Sequence, residues 1–228
     1  MLQKRLRNLP KITQNTEDKT MTQSIQKLFT FEEFLDFLEK EPENIRYELH
    51  DGNIVQMPQP VGEHEDIVVF LTTILILETA RLKRPYGIPK TALVKPENKA
   101  SGYYPDVLLL NLTNLENEPL WKKESTAIKS ASIPLVIEIV STNWRDDYYK
   151  KFADYEQMGI PEYWIVDYAA LGSKEIIGNP KQPTLTICTL DEGEYRVSKF
   201  RESERIYSPT FPDINLTAGE IFHGRIRP

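Results

Sequence analysis

The chain has 228 residues, 40% of them hydrophobic, which fits one domain with at most a small appendage and supplies enough apolar mass for a sizeable core. A formal net charge of −6 argues against a surface coated for nonspecific nucleic-acid binding, while leaving room for a local basic groove. The single cysteine, Cys188, excludes an intrachain disulfide and any cysteine-cluster zinc site.

Residues 1–25 are polar and charged, lack apolar periodicity, and read as a disordered tail ahead of one domain over 26–228. Without a signal peptide or a long apolar run, the chain is expected to be cytoplasmic, with no membrane partner. Order is expected from Thr30, which with Glu33 makes a capping box before FEEFLDFLEKEP. Phe31, Phe34, Leu35 and Leu38 give that helix an apolar stripe, and Pro42 closes it. Tyr47 to Val55 reads as two short strands turning at Asp51-Gly52. Glu48 falls in the first strand or at its entrance; taken alone it is a strand-face acid paired with Arg46 or a lysine. After a loop at Pro58 and Pro60, Glu63 to Leu82 reads as a helix. It is apolar nearly all round, so it should be a central helix packed on a sheet. His64 lies in its first turn: a functional reading sets it at the mouth of a cleft, but with no second histidine at ligand spacing it reads as a partly exposed histidine at a helix start. Thr91 to Val94 and Tyr104 to Leu110 read as strands, with Asp106 at the start of the second. Residues 113–132 read as a loop with a short helix anchored by Trp121.

The next stretch carries the strongest pattern. Leu135 to Val140 is an apolar run of strand length with one acid, Glu138, inside it. A buried carboxylate is costly unless a partner or a metal meets it. A helix capped by Asp146 or Asp147 and ended by Gly159 should follow, and Glu162 to Asp167 should return as a second strand. This is a strand–helix–strand unit long enough for a parallel crossover. Tyr148, Phe152, Tyr155 and Gly159 line one side of the helix, Lys151 flanks that side, and Lys150 points to water. Taken alone, Lys151 is a surface salt bridge to Asp147 at i−4, and its removal should cost only about 0.5 kcal/mol. If a lysine reaches Glu138, it is Lys151. Leu185 to Thr189 and Glu194 to Lys199 read as a hairpin, and Ile206 to His223 as one more strand followed by a surface-hugging end.

Asp106 at the mouth of one apolar strand and Glu138 within another make a pair of hard oxygen ligands suited to Mg²⁺ or Mn²⁺. Such an ion activates water and neutralises a scissile phosphodiester, and a nearby lysine can steady the developing charge. The pattern resembles the PD-(D/E)XK restriction-endonuclease-like superfamily, and in particular its bacterial Uma-type branch. The stretches that carry the resemblance are YELHDGNIV from Tyr47, the histidine of GEHEDIV at His64, YYPDVLLL from Tyr103, IPLVIEIVS from Ile133 and KFADYEQMGIPEYWIVD from Lys151. They span roughly Thr30 to His223. Pro212-Asp213 is a decoy, since no acid-bearing strand follows it. The usual superfamily lysine, two residues after the glutamate, is replaced by Val140. The Uma-type branch is similar in carrying a serine, here Ser141, and in taking its lysine from the following helix, where Lys151 matches.

The resemblance implies an α/β fold: a restriction-endonuclease-like central mixed sheet flanked by helices, with β additions at the carboxyl end. It implies a metal-dependent endonuclease acting on DNA. Asp106 and Glu138 would ligate Mg²⁺ or Mn²⁺ with the Ile139 carbonyl as third ligand, Lys151 would act on water or phosphate, and Glu48 would support the metal side. Tyr155 matches a tyrosine of the same helix. A homodimer is compatible with this reading. Two others stand beside it: a catalytically silent nucleic-acid-binding or oligomerisation module on the same fold, and a purely structural α/β protein.

Overall fold

The computed structural model describes residues 27–42 and 44–225, so the expected tail over 1–25 lies outside the described residues. Thr30 opens helix α1 (Phe31–Leu38) with the expected capping box: its hydroxyl accepts the Glu33 N–H at 3.1 Å, and its own N–H donates to Glu33 Oε2 at 3.0 Å. Strands β1 (Tyr47–His50) and β2 (Asn53–Gln56) make the expected hairpin. Asp51 and Gly52 both take positive φ, 48° and 80°, as a two-residue turn between twisted strands requires. Helix α2 (Gly62–Arg81) leads to β3 (Tyr86–Gly87), β4 (Leu93–Val94) and β5 (Val107–Asn111). The largely irregular segment beyond holds α3 (Trp121–Glu124) and β6 (Thr126–Ala127). Strand β7 (Leu135–Ile139) is followed by a π-helical stretch, Asp146–Lys151, that runs into α4 (Phe152–Met158). Then come β8 (Glu162–Asp167), α5 (Lys174–Ile177), the hairpin of β9 (Thr184–Asp191) and β10 (Glu194–Phe200), and α6 (Ala218–Phe222).

The central sheet has six strands in the order β10-β9-β8-β7-β5-β3. Only β7 and β8 pair in parallel, joined through α4; the other pairings are antiparallel, so the sheet is mixed. All residues of β7 and β8 are buried because both sheet faces are covered. Successive side chains alternate between the faces. Leu135, Ile137, Ile139, Trp164 and Val166 pack in one layer with Ile67, Leu71 and Leu75 of α2 and Ile221 of α6. Val136, Tyr163 and Ile165 pack in the other with Tyr148 and Tyr155, and Cys188 is buried there too. A third cluster, Phe31, Phe34, Leu49 and Leu93, fastens α1 to the hairpin.

Four expectations are corrected. Neither Asp146 nor Asp147 caps the helix after β7: Arg145 stands at the cap without a side-chain bond, and both acids lie inside the π stretch. Gly159 does end the helix, in the left-handed conformation at φ 77°. The packed face of that helix is also turned. Asp147, Tyr148, Lys151, Asp154 and Tyr155 are buried while Phe152 is half-buried, so Lys151 lies on the packed face and not beside it. Among the described residues, helix α2 is covered on one side only, leaving Val69, Ile76 and Leu77 exposed at 64%, 40% and 61%. Finally, residues 206–223 form no regular strand and do not hug the surface. Ile206, Phe211, Ile214, Leu216, Ile221 and Phe222 complete the apolar layer on the α2 side, a face that would otherwise lie open.

Candidate active site

The site is assembled where β1 docks against the chain entering β5. Leu49 and Gly102 exchange backbone hydrogen bonds at 3.0 and 2.9 Å, which sets Glu48 beside Tyr104. The Tyr104 N–H donates to Glu48 Oε1 at 2.9 Å. His50 lies two residues on, on the same strand face, with Nε2 2.8 Å from Glu48 Oε2. Two residues past Tyr104 comes Asp106. Strand β5 pairs with β7 in the register Val107 to Ile137, so one step further Asp106 stands across from Glu138. Asp106 Oδ2 accepts the Ile139 N–H at 2.7 Å and lies 3.3 Å from His64 Nε2. Glu138 Oε1 accepts from the Tyr155 hydroxyl at 3.0 Å.

Lys151 closes the cluster. It is 2% exposed, and its Nζ lies 3.1 Å from Glu138 Oε1, 3.3 Å from Glu48 Oε1 and 3.7 Å from Asp147 Oδ1. The expected i−4 ion pair with Asp147 is thus present, but buried. Its neighbour Lys150, expected to face water, ion-pairs with Asp51 at the hairpin tip. The two adjacent lysines tie the hairpin to the helix.

One ammonium now faces three buried carboxylates, and the electrostatics follow. Burial pushes Glu138 well above the usual carboxylate range; Lys151 pulls it down, while Asp106, Asp147 and Glu48 add to the rise. Burial also lifts Asp147, to about 7, against the pull of Lys151. Burial works on Glu48 too, but Lys151, His50 and the Tyr104 N–H together outweigh it and hold Glu48 below its ordinary value. Burial disfavours the Lys151 ammonium, yet Glu138, Glu48 and Asp147 drive its pKa well upward, so it stays charged. His64 behaves alike: burial lowers it, Asp106 and Glu65 outweigh that, and the net shift is upward. The expectation of a partly exposed His64 is therefore corrected; the ring is buried against Asp106.

Asp106, Glu138, Lys151, Asp147, Ile139 and His64 all line one cleft of about 240 Å³. Glu48 touches Lys151 but does not line it. Ser141 lies on its wall, donating to Asn143 Oδ1. A second cleft, of about 480 Å³, shares Arg46, Tyr104 and Asp106 with the first. Among the described residues no group of three or more His, Cys, Asp or Glu side chains is placed to hold a metal. A hard divalent ion that keeps several waters needs fewer, often one or two carboxylates. Asp106 and Glu138 supply two, in a cleft with surplus buried negative charge, so this donor set fits Mg²⁺ or Mn²⁺. The residues that sequence reasoning did not place here are His50 and Asp147. Each had a legible signal, His50 two residues from Glu48 on one strand face and Asp147 four residues before Lys151 on one helix face.

The Uma2 family, described as "Putative restriction endonuclease", matches residues 31–219. Among solved structures, "a putative nuclease belonging to DUF820" from Anabaena variabilis superposes with a TM-score of 0.64 at 16% identity, covering 86% of this chain and 98% of that one. Curated proteins give no match.

Proposed function

The chain belongs to the Uma2 family, and from that premise we propose that it is a metal-dependent endonuclease that hydrolyses DNA phosphodiester bonds in the cleft between Asp106 and Lys151. The observation that carries the reading is the convergence of Asp106, Glu138 and Lys151 on one cleft in which buried carboxylates outnumber the lysine. Asp106 and Glu138 would hold Mg²⁺ or Mn²⁺, with the Ile139 carbonyl beside them. When bound, the ion supplies Lewis-acid charge and a water of lowered pKa. The Ile139 N–H and His64 orient the Asp106 carboxylate, and Tyr155 orients that of Glu138. Lys151, held by Glu48, presents a fixed positive charge to the attacking water or to a phosphate oxygen. The second cleft continues past Asp106 along Arg46 and Tyr104, where the guanidinium lies 5.9 Å from the ring centroid. A strand that passes through both clefts is cut internally.

A specific observation favours the catalytically silent alternative. Lys151 already neutralises Glu138 directly, as a structural ion pair would. Metal binding and nicking separate the two readings. Wild-type protein should nick supercoiled DNA with Mn²⁺ or Mg²⁺, and Glu138→Gln should lose about a hundredfold or more in rate while keeping its circular dichroism. Millimolar metal should raise the Tm of the wild type but not of Asp106→Asn. Equal nicking by wild type and Glu138→Gln removes the nuclease reading. An equal Tm rise in wild type and Asp106→Asn places the ion elsewhere.

A further inference from the structure

Helix α2 is long and central, and among the described residues it is covered on one side only. Its inward face carries Ile67, Phe70, Leu71, Leu75 and Thr79. Its outward face, directly opposite at about 100° per residue, runs through Asp66, Val69, Thr73, Ile76, Leu77 and Ala80, of which Val69, Ile76 and Leu77 are large, apolar and exposed. Thr73 adds to this character, because its hydroxyl is spent on the Val69 carbonyl at 2.8 Å and leaves its methyl to face outward.

The charge along the helix says what can cover this face. Glu63, Glu65 and Asp66 stand at the amino end, while Arg81, Lys83 and Arg84 stand at or just past the carboxyl end; all six are exposed. A sequence acidic at one end and basic at the other is complementary to itself read backwards. Within one chain these ends are too far apart to meet, since 20 residues of helix span about 30 Å.

We propose that α2 is a self-association surface, on which a second copy of this chain lays its own α2 antiparallel about a twofold axis at Thr73. With that axis Val69 meets the partner's Leu77, and Asp66 meets the partner's Ala80. The acidic amino end, Glu63 and Glu65, then lies alongside the partner's basic carboxyl end, Arg81, Lys83 and Arg84. Val69 and Leu77 lie about 40° to either side of Thr73 around the helix, so a twofold pairing brings both onto the contact. The contact is isologous: one patch serves both copies, so the pairing closes on itself. Of the three basic residues, Arg81 is already held by Glu78, so Lys83 and Arg84 supply most of the attraction. The inference stands apart from the nuclease reading, because the apolar centre of the face, Val69, Thr73, Ile76 and Leu77, lines neither cleft; Glu65 at its margin also borders the second cleft.

Sedimentation of the full chain tests it. Wild type should be a dimer that weakens as salt rises. Val69→Asp should weaken it by about thirtyfold or more, with the unfolding of the monomer unchanged because Val69 is exposed. Thr73→Cys should give a disulfide-linked dimer under mild oxidation, since the two copies of residue 73 face each other at the axis. Ser198→Cys, exposed on β10 at the far edge of the sheet, should not. The native Cys188 is buried and does not interfere. A wild type that remains monomeric at about 100 µM overturns the proposal. So does a dimer that survives Val69→Asp and fails to crosslink through Thr73→Cys.

Discussion

Lys151 shows what burial does to an ordinary helix-surface pattern. An ammonium this deep persists only with charged partners, and it has three. Its removal leaves Glu48, Glu138 and Asp147 facing one another, so Lys151→Ala should cost about 3 kcal/mol instead of the surface-like value expected from spacing alone. The cost should also depend on pH. Asp147 titrates near 7 in the fold against an ordinary 3.8, so its stabilising contribution is complete below the ordinary value and is lost as pH rises toward 7. Lys151 limits that loss. Without it the acids climb further, and Lys151→Ala should be more damaging at about pH 8 than at about pH 5. Urea unfolding at both values checks this; a cost that is small and flat in pH would show that Lys151 does not hold the acids. The four acids and bases named from the sequence do meet, because strand parity and helix face are local properties. The burial of Glu138 was legible from its apolar strand, but that of Glu48 and Lys151 was not, since it depends on β1 docking against residues 102–104, some fifty positions away.

Elements with a steady period were read at nearly the right bounds: α1, the β1–β2 hairpin, α2, β7, β8 and the β9–β10 hairpin. The segment after β10 was misread because its apolar residues follow neither a strand nor a helix period. They are spaced by the surface they cover. One local signal was available, the Thr217–Glu220 capping box that opens α6. The segment is also tied to the sheet by polar bonds. Glu162, buried at the start of β8, accepts from Trp164 Nε1 at 2.6 Å, the Ser208 hydroxyl at 3.0 Å and the Thr210 N–H at 3.0 Å. A chain ended after Glu204 loses six large buried apolar side chains, each contributing about 2 kcal/mol, and two of the three partners of Glu162. That sum rivals the whole stability of an ordinary domain at about 5–15 kcal/mol. The truncated chain should show no cooperative urea transition by circular dichroism. A transition within a few degrees or a fraction of a molar of wild type would mean that the segment is, after all, a surface strap.

At the scale of the molecule, an acidic chain carries a cluster of buried acids at the cleft proposed for a polyanion. Neutralisation at that cleft must therefore come from bound cations and from Lys151, Arg46 and neighbouring basic side chains, not from the net field. The mixed sheet holds the cleft open at the carboxyl end of β7 while both of its faces are sealed, and the lone cysteine lies within that sealed interior. Burial pushes the Cys188 thiol up to about 12, so at neutral pH it holds almost no thiolate, the form that oxidants and alkylating reagents attack. That thiol is thus shut off from redox chemistry in the folded chain, and it becomes a clock. Ellman's reagent should leave the native protein unlabelled and react only as fast as β9 comes away from its neighbours, so that labelling time reads the opening of the central sheet in a single number.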